Sequence, residues 1–136
     1  MSYLIDTNII SELRRKDCNP GVVSWFADRP VTTLHLSVLS LGEIRKGIES
    51  LPNSKRRLAL CDWLEVDLPA FFSGRILLVD QAVADRWGRL LGRIKRTAPA
   101  IDSLIAATAL QHGLTLVTRN SADFMFPELD VINPWQ

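Results

Sequence analysis

Short apolar runs and longer amphipathic stretches alternate along this chain of 136 residues. Runs rich in aliphatic and β-branched residues predict strands at 3–5, 32–36, 75–79, 115–118 and 130–132. The run at 75–79 is apolar without alternation, which is typical of a strand that is buried on both faces.

Amphipathic stretches between these runs predict helices at 9–15, 21–28, 38–50, 54–72, 81–96 and 100–111. Pro20 suits the first turn of the second helix, Ser37 can cap the third, and Pro69 should interrupt the fourth. Strands that alternate with helices are joined by crossover connections, which produce a parallel sheet covered on both faces. We therefore expect one domain over residues 1–136, an α/β three-layer sandwich with a mainly parallel central sheet of about five strands.

The composition is typical of a soluble globular protein but does not indicate a particular binding partner. Hydrophobic residues make up 47% and charged residues 23%, and the net charge is +1, so a nucleic-acid contact would need a local basic patch. Residues 1–6 lack the features of a signal peptide, and no apolar run approaches about 18 residues, so we expect a cytoplasmic protein without a membrane segment. Cys18 and Cys61 belong to no metal-binding motif, which favours reduced thiols.

Four acidic residues occupy equivalent places in this pattern. Asp6 ends the first predicted strand and Asp123 lies beyond the fourth, while Glu43 and Asp102 lie near the starts of helices that lead back to the same edge. Each has a structural explanation when taken alone, as a cap, a first-turn acid or a surface side chain. Together they place four of the chain's 15 acids on one rim of the sheet.

Carboxylates on one rim repel each other, and some would hold their protons near neutral pH unless a cation neutralised them. Oxygen-only ligands favour Mg²⁺ or Mn²⁺ over zinc, and His35 and His112 show no spacing typical of metal ligands. Asn8 and Ser11 follow Asp6 closely. Such residues are more often caps and turns, but either could orient a metal-bound water. The sequence thus predicts a carboxylate metal site.

The segments that carry these acids resemble a known family. They are 4–13 (LIDTNIISEL), 39–44 (LSLGEI), 101–107 (IDSLIAA), 118–120 (TRN) with Asp123 and Phe124, and the closing 131–135 (VINPW). In this order and spacing they resemble the PIN domain, and more narrowly its VapC/FitB branch, the toxins of type II toxin–antitoxin systems.

The resemblance implies a sequence-selective endoribonuclease with a magnesium or manganese cofactor. Metal binding and catalysis carry over to Asp6, Glu43, Asp102 and Asp123, with Thr118 in a supporting role and a metal-activated water cleaving RNA to leave a 5′-phosphate and a 3′-hydroxyl. It also implies a homodimer held inactive by a cognate antitoxin, through which alone the toxin would meet DNA.

Basic side chains would have to hold the RNA. Arg86, Arg89, Arg93 and Arg96 recur at helical spacing and could follow a phosphate backbone, although a solvated face or an oligomer surface explains them slightly better. The run 55–57 (KRR) is a second candidate with the same alternative explanation.

Three further functions were weighed against the pattern. A phosphoacceptor receiver domain is also a small α/β fold with acidic residues, and Asp80 would be its phosphoacceptor, but only one acid follows the first strand and no lysine ends the fourth. A haloacid-dehalogenase-type phosphatase would need an aspartate where Asn8 stands. A catalytically inactive PIN-fold binding module is the other alternative, and the complete set of acids argues against it.

Overall fold

The central sheet has five strands and is parallel throughout. The computed structural model describes all 136 residues and places the strands in the spatial order β3-β2-β1-β4-β5. The strands are β1 Tyr3–Ile5, β2 Leu34–Ser37, β3 Ile76–Leu77, β4 Thr115–Val117 and β5 Val131–Ile132. The first strand is central, so the residue that follows it lies in the middle of the sheet's carboxyl edge.

Seven α-helical segments cover the two faces of the sheet. They are α1 Thr7–Arg14, α2 Pro20–Ala27, α3 Val38–Glu49, α4 Lys55–Asp62, α5 Leu68–Phe71, α6 Gln81–Ile94 and α7 Ala100–His112. Side chains preceding five of them accept backbone N–H groups of the first turn and fix where the helix begins, namely Asp6, Asn19, Ser37, Ser54 and Asp80. None of the helices combines the length and apolar character needed to cross a lipid bilayer.

Alternate residues of β1 face different helical layers. Tyr3 and Ile5 belong to a core formed with residues of α1, α2, α3 and α5, whereas Leu4 belongs to a second core formed with α6 and α7. This alternation follows from the two-residue period of a strand. The predicted three-layer α/β sandwich is confirmed.

Helix α7 packs closely because its buried residues are small. Ala106, Ala107 and Ala109 are fully buried, and Gly113 ends the helix in the left-handed conformation with φ of 64°. The small side chains let the helix backbone approach the sheet. The acid in its first turn, Asp102, is thereby fixed relative to the strand ends.

The predicted interruption near Pro69 is confirmed as a π-helical turn at Trp63–Asp67, between α4 and α5. Leu68 N–H donates to the carbonyl of Trp63, five residues earlier. Pro69 has no N–H to donate to Glu65, so the regular α-helical pattern breaks in the turn that precedes the proline.

The prediction that residues 75–79 form a strand buried on both faces is wrong. The strand β3 contains only two residues and lies at the sheet edge with β2 as its single neighbour. Leu78 is 63% exposed, because the chain has already left the sheet and turns towards the N-cap of α6. The apolar run therefore predicted the presence of the strand correctly, but the strand is shorter and more exposed than predicted.

Candidate active site

Asp6 lies at the centre of the carboxyl edge of the sheet. The register pairs Ile5 with Val117, so β1 and β4 end level with each other, and Asp6 N–H donates to the Val117 carbonyl at 2.9 Å. Asp6 is 7% exposed and caps α1, with Oδ1 accepting from Thr7 N–H at 2.8 Å. Its other oxygen, Oδ2, accepts from the Thr118 hydroxyl at 2.8 Å.

Thr118 and Asn8 hold this carboxylate in place. Asn8 Nδ2 lies 3.1 Å from Thr118 Oγ1 and 3.3 Å from Asp6 Oδ2, and Asn8 Oδ1 accepts from the Arg119 backbone N–H. The Thr118 hydroxyl also accepts from Asn120 N–H at 3.1 Å. The structure thus places two of the three predicted supporting residues, Thr118 and Asn8, beside Asp6, and their hydrogen bonds join α1 to the loop after β4.

Glu43 reaches the same edge from α3. The Thr7 hydroxyl donates to Glu43 Oε1 at 2.7 Å and lies 2.9 Å from the Ser40 hydroxyl. Thr7 was not identified from the sequence as part of the site, and Asp6 is the cap of α1. Its position next to Asp6 on a helix that starts at the strand end was the available signal, but the contact with α3 depends on tertiary packing.

Asp102 and Asp123 complete the acidic edge. Asp102 lies in the first turn of α7 with no side-chain hydrogen bond, and Asp123 is exposed in a short 3₁₀ turn, Ser121–Phe124. Asp6, Glu43 and Asp102 line one cavity of about 460 Å³, together with Asn8, Ser11 and Arg119, among others. We call it the acidic cavity. Asp123 does not line this cavity, but its charge acts on Asp102.

Burial and mutual repulsion favour the neutral forms of two of these acids. Burial raises the pKa of Asp6, the Thr118 and Thr7 hydrogen bonds oppose that rise, and the charges of Glu43 and Asp102 add to it. Partial burial raises the pKa of Asp102, and the charges of Asp123 and Glu43 raise it further. Each of the four carboxylates therefore acts electrostatically on at least one of the others.

The donor chemistry fits a hard divalent cation. The four side chains offer only carboxylate oxygens, and a cation among them would offset the repulsion that adds to the effect of burial on the pKa of Asp6 and Asp102. As arranged here, no three acidic, histidine or cysteine side chains are close enough to hold one ion together. Rotation of the exposed side chains Glu43 and Asp123 would have to complete such a site.

One positively charged side chain near the acids, Arg119, was not predicted from the sequence to be part of the site. The Arg119 guanidinium lies 5.1 Å from the centre of the Trp135 ring, and both residues line the acidic cavity. Asn133 Nδ2 donates to the Arg119 carbonyl, which ties the closing segment of the chain to this loop. No short motif in the sequence indicates that Trp135 would lie beside this arginine.

Three of the four arginines predicted to follow RNA have acidic partners, whereas Arg96 donates to the Met125 carbonyl. Arg86 and Arg93 each lie within 4 Å of Glu128, and Arg89 pairs with Asp85 at 3.0 Å. Their role in RNA binding stays a prediction.

Asp80, the phosphoacceptor of the receiver hypothesis, caps α6 by accepting from Val83 N–H at 2.9 Å. It does not line the acidic cavity, and this placement gives the receiver hypothesis no support.

Comparison with known proteins finds relatives over nearly the whole chain. The family model of the PIN domain matches residues 3–130. The chain is 37% identical over 135 residues to "Toxin FitB" of Neisseria gonorrhoeae, covering 97% of each chain. It is 34% identical over 136 residues to "VapC ribonuclease Y4jK" of Sinorhizobium fredii, covering 98% of this chain and 97% of the relative.

A solved structure of similar fold supports the same assignment. The chain matches a component of "Structure of FitAB bound to IR36 DNA fragment" with a TM-score of 0.90 and 34% identity, covering 98% of this chain and 96% of the other. The TM-score shows that the two chains share the fold described above. This chain belongs to the PIN domain family, in the branch that contains the VapC and FitB toxins.

Proposed function

We propose that this protein is a metal-dependent endoribonuclease, the toxin of a toxin–antitoxin pair. The observation that carries the proposal is the convergence of Asp6, Glu43 and Asp102 on one cavity, with Asp123 close enough to raise the pKa of Asp102. The printed names of the relatives, a FitB toxin and a VapC ribonuclease, support the choice of RNA as substrate.

The side chains of the site have different roles. Asp6, Glu43, Asp102 and Asp123 would hold Mg²⁺ or Mn²⁺, which polarises a phosphate and lowers the pKa of a water when bound. Thr118 and Asn8 orient Asp6, and Thr7 orients Glu43. The Arg119 guanidinium, placed on the Trp135 ring at the same cavity, would serve as a counter-charge to the substrate phosphate.

The reaction is a hydrolysis. The oxygen of a water forms a bond to phosphorus, the bond from phosphorus to the 3′ oxygen breaks, and a carboxylate of the site accepts the proton of the water. The departing 3′ oxygen takes up a proton, which leaves a 3′-hydroxyl and a 5′-phosphate. The four negative charges repel each other. A bound cation would offset this repulsion and would also stabilise the charge of the transition state.

The partners follow from the same relatives. We propose that an antitoxin protein blocks the acidic cavity, that DNA is contacted through the antitoxin, and that the toxin forms a homodimer. The solved structure in which FitAB is bound to a DNA fragment supports an assembly that contacts DNA.

Cleavage of RNA tests the function directly. We expect the purified protein to cleave total bacterial RNA with added Mg²⁺ or Mn²⁺ and to lose this activity in EDTA, because the carboxylates alone cannot stabilise the reacting phosphate. Mapping of the fragment ends should find 5′-phosphates and 3′-hydroxyls. Cleavage that continues in EDTA, or ends carrying 2′,3′-cyclic phosphates, would contradict the metal-dependent hydrolysis.

Metal binding should stabilise the fold in a pH-dependent way. Because the pKa of Asp6 and of Asp102 is raised above 3.8, these groups cost stability as pH rises from 3.8 through their raised pKa, and the cost persists above it. A cation at about one hundred times its Kd would return about 2.7 kcal/mol at neutral pH.

Thermal unfolding with Mn²⁺ and with EDTA measures this difference. We expect the gap between the two melting temperatures to be largest at neutral pH and to shrink as pH falls towards 3.8, because protons then compete with the metal. A gap that is equal at all pH values would place the bound metal away from these carboxylates.

A further inference from the structure

A second cavity adjoins the acidic one and leads away from it between α1, α3 and α4. Its volume is about 700 Å³, and Thr7, Ser11, Arg15 and Glu43 line both cavities. We call it the basic groove, after the cations that line it: Arg14, Arg15, Lys16 and Arg56. Whatever occupies the groove is therefore led past Glu43 to the acids.

The charge of the basic groove suits a phosphate backbone. Its four cations outnumber its two acids, Asp17 and Glu43. Lys16 and Arg56 are exposed and have no acidic partner within ion-pair distance, so their charges are available without breaking a contact. Arg15 is different, because it pairs with the buried carboxylate of Glu12 at 3.2 Å.

The inner wall of the groove is suited to bases. The half-buried ring of Trp63 lines it beside the side chains of Ile48 and Leu60, and the Arg14 guanidinium lies 4.9 Å from the centre of that ring. Single-stranded nucleic acids bind where cations follow the backbone and where aromatic or guanidinium planes receive unpaired bases. Cations and stacking surfaces occur together here.

The arginines of α6 lack this connection to the acids. The cavity lined by Arg86, Arg89 and Arg93 shares no residue with the acidic cavity, and each of these arginines has a carboxylate partner. An RNA held there would have to displace Glu128 or Asp85 and would still have to reach the acids.

We propose that the basic groove binds the single-stranded stretch of RNA next to the scissile phosphate, with Lys16 and Arg56 contacting its backbone. The proposal rests on the proposed ribonuclease function and adds where the substrate lies. The strand runs from the acidic cavity past Glu43 and along the C-terminal end of α1 towards α4. RNA and the acids then meet without rearrangement of an ion pair.

A matched pair of double variants tests the proposal. In an Asp102→Asn background, which keeps the RNA intact, fluorescence anisotropy of a labelled single-stranded RNA oligonucleotide is followed against salt concentration. The groove variant is Lys16→Ala with Arg56→Ala, and the control is Arg89→Ala with Arg93→Ala. Both remove two exposed cations, and neither leaves the buried Glu12 carboxylate unpaired.

We expect the groove variant to reduce the salt slope of log affinity by about 1.4, which is about 0.7 for each lost cation. The control variant should keep the parent slope. In the active background, the groove variant should raise KM for RNA with little change in kcat, because the lost contacts hold the strand equally before and during reaction. Thermal unfolding checks that both variants remain folded, as surface substitutions should.

An unchanged slope in the groove variant would overturn the proposal and would leave the groove to a protein partner. A reduced slope in the control alone would overturn it too and would move the RNA to α6. Failure of the proposed function is seen separately, since the unsubstituted protein would then cleave no RNA with any divalent metal.

Discussion

Replacing Asp102 with Asn should nearly abolish RNA cleavage while leaving the protein as stable as its parent or slightly more stable. The side chain makes no hydrogen bond within the chain, so the amide breaks no contact, yet it removes one negative charge from the ligand set. Loss of about 3–5 kcal/mol of transition-state stabilisation would lower kcat on the order of 10²–10⁴-fold.

The stability gain has a separate cause. In the metal-free protein, partial burial and the charges of Asp123 and Glu43 raise the pKa of Asp102, so a neutral amide relieves a cost that is present at neutral pH. Thermal unfolding in EDTA measures this effect, and initial cleavage rates with Mn²⁺ measure the loss of activity.

Asp85→Asn is the matched control, because Asp85 is an exposed acid that pairs with Arg89 on α6 and does not line the acidic cavity. It should keep the parent activity. An Asp102→Asn protein that is folded and cleaves RNA at close to the parent rate would exclude Asp102 from the catalytic set.

Replacing Thr118 with Val should lower both stability and activity. The substitution keeps the shape of the side chain but removes the hydroxyl that donates to Asp6 Oδ2 and accepts from Asn120 N–H. Leaving buried polar groups without partners should lower the free energy of unfolding by about 1–3 kcal/mol. The pKa of Asp6 should rise further, since this hydrogen bond opposes the effect of burial.

Activity should fall about 10–100-fold, which is the usual effect of losing a residue that orients a metal ligand. Denaturant unfolding and cleavage rates measure the two effects. Thr108→Val is the matched control, because Thr108 is also fully buried but its hydroxyl donates to the Leu104 carbonyl within α7. Equal activity losses in the two variants would show that the effect of Thr118 is general destabilisation.

The sequence was sufficient to predict the fold and the acidic edge. Local pattern predicted each strand, and the rule that parallel strands end at a common edge then brought Asp6 and the residues after Thr118 together. The level ends of β1 and β4, paired at Ile5 and Val117, are the physical reason that this inference held. Whether all four acids bind metal stays a prediction.

Contacts that depend on packing between elements far apart in the sequence could not be predicted from the pattern of hydrophobic and polar residues. Nothing local to Thr7 indicates that its hydroxyl meets Glu43, and nothing local to Arg119 indicates a tryptophan beside it. The acidic partners of Arg86 and Arg93 come from Glu128, a residue with a positive φ of 68° in a loop that carries no recognisable signal. Periodicity shows which residues share a helix face but not what lies opposite.

The central position of β1 in the sheet affects how the protein folds during its synthesis. Asp6 is made almost at once, but its partner Thr118 lies 112 residues later, and β4 must be added before the centre of the sheet closes. Contacts at such separation form late and slowly. A ribosome-bound fragment therefore carries an unassembled nuclease, and the cell's RNA is exposed to this protein only after nearly the full chain has emerged and folded.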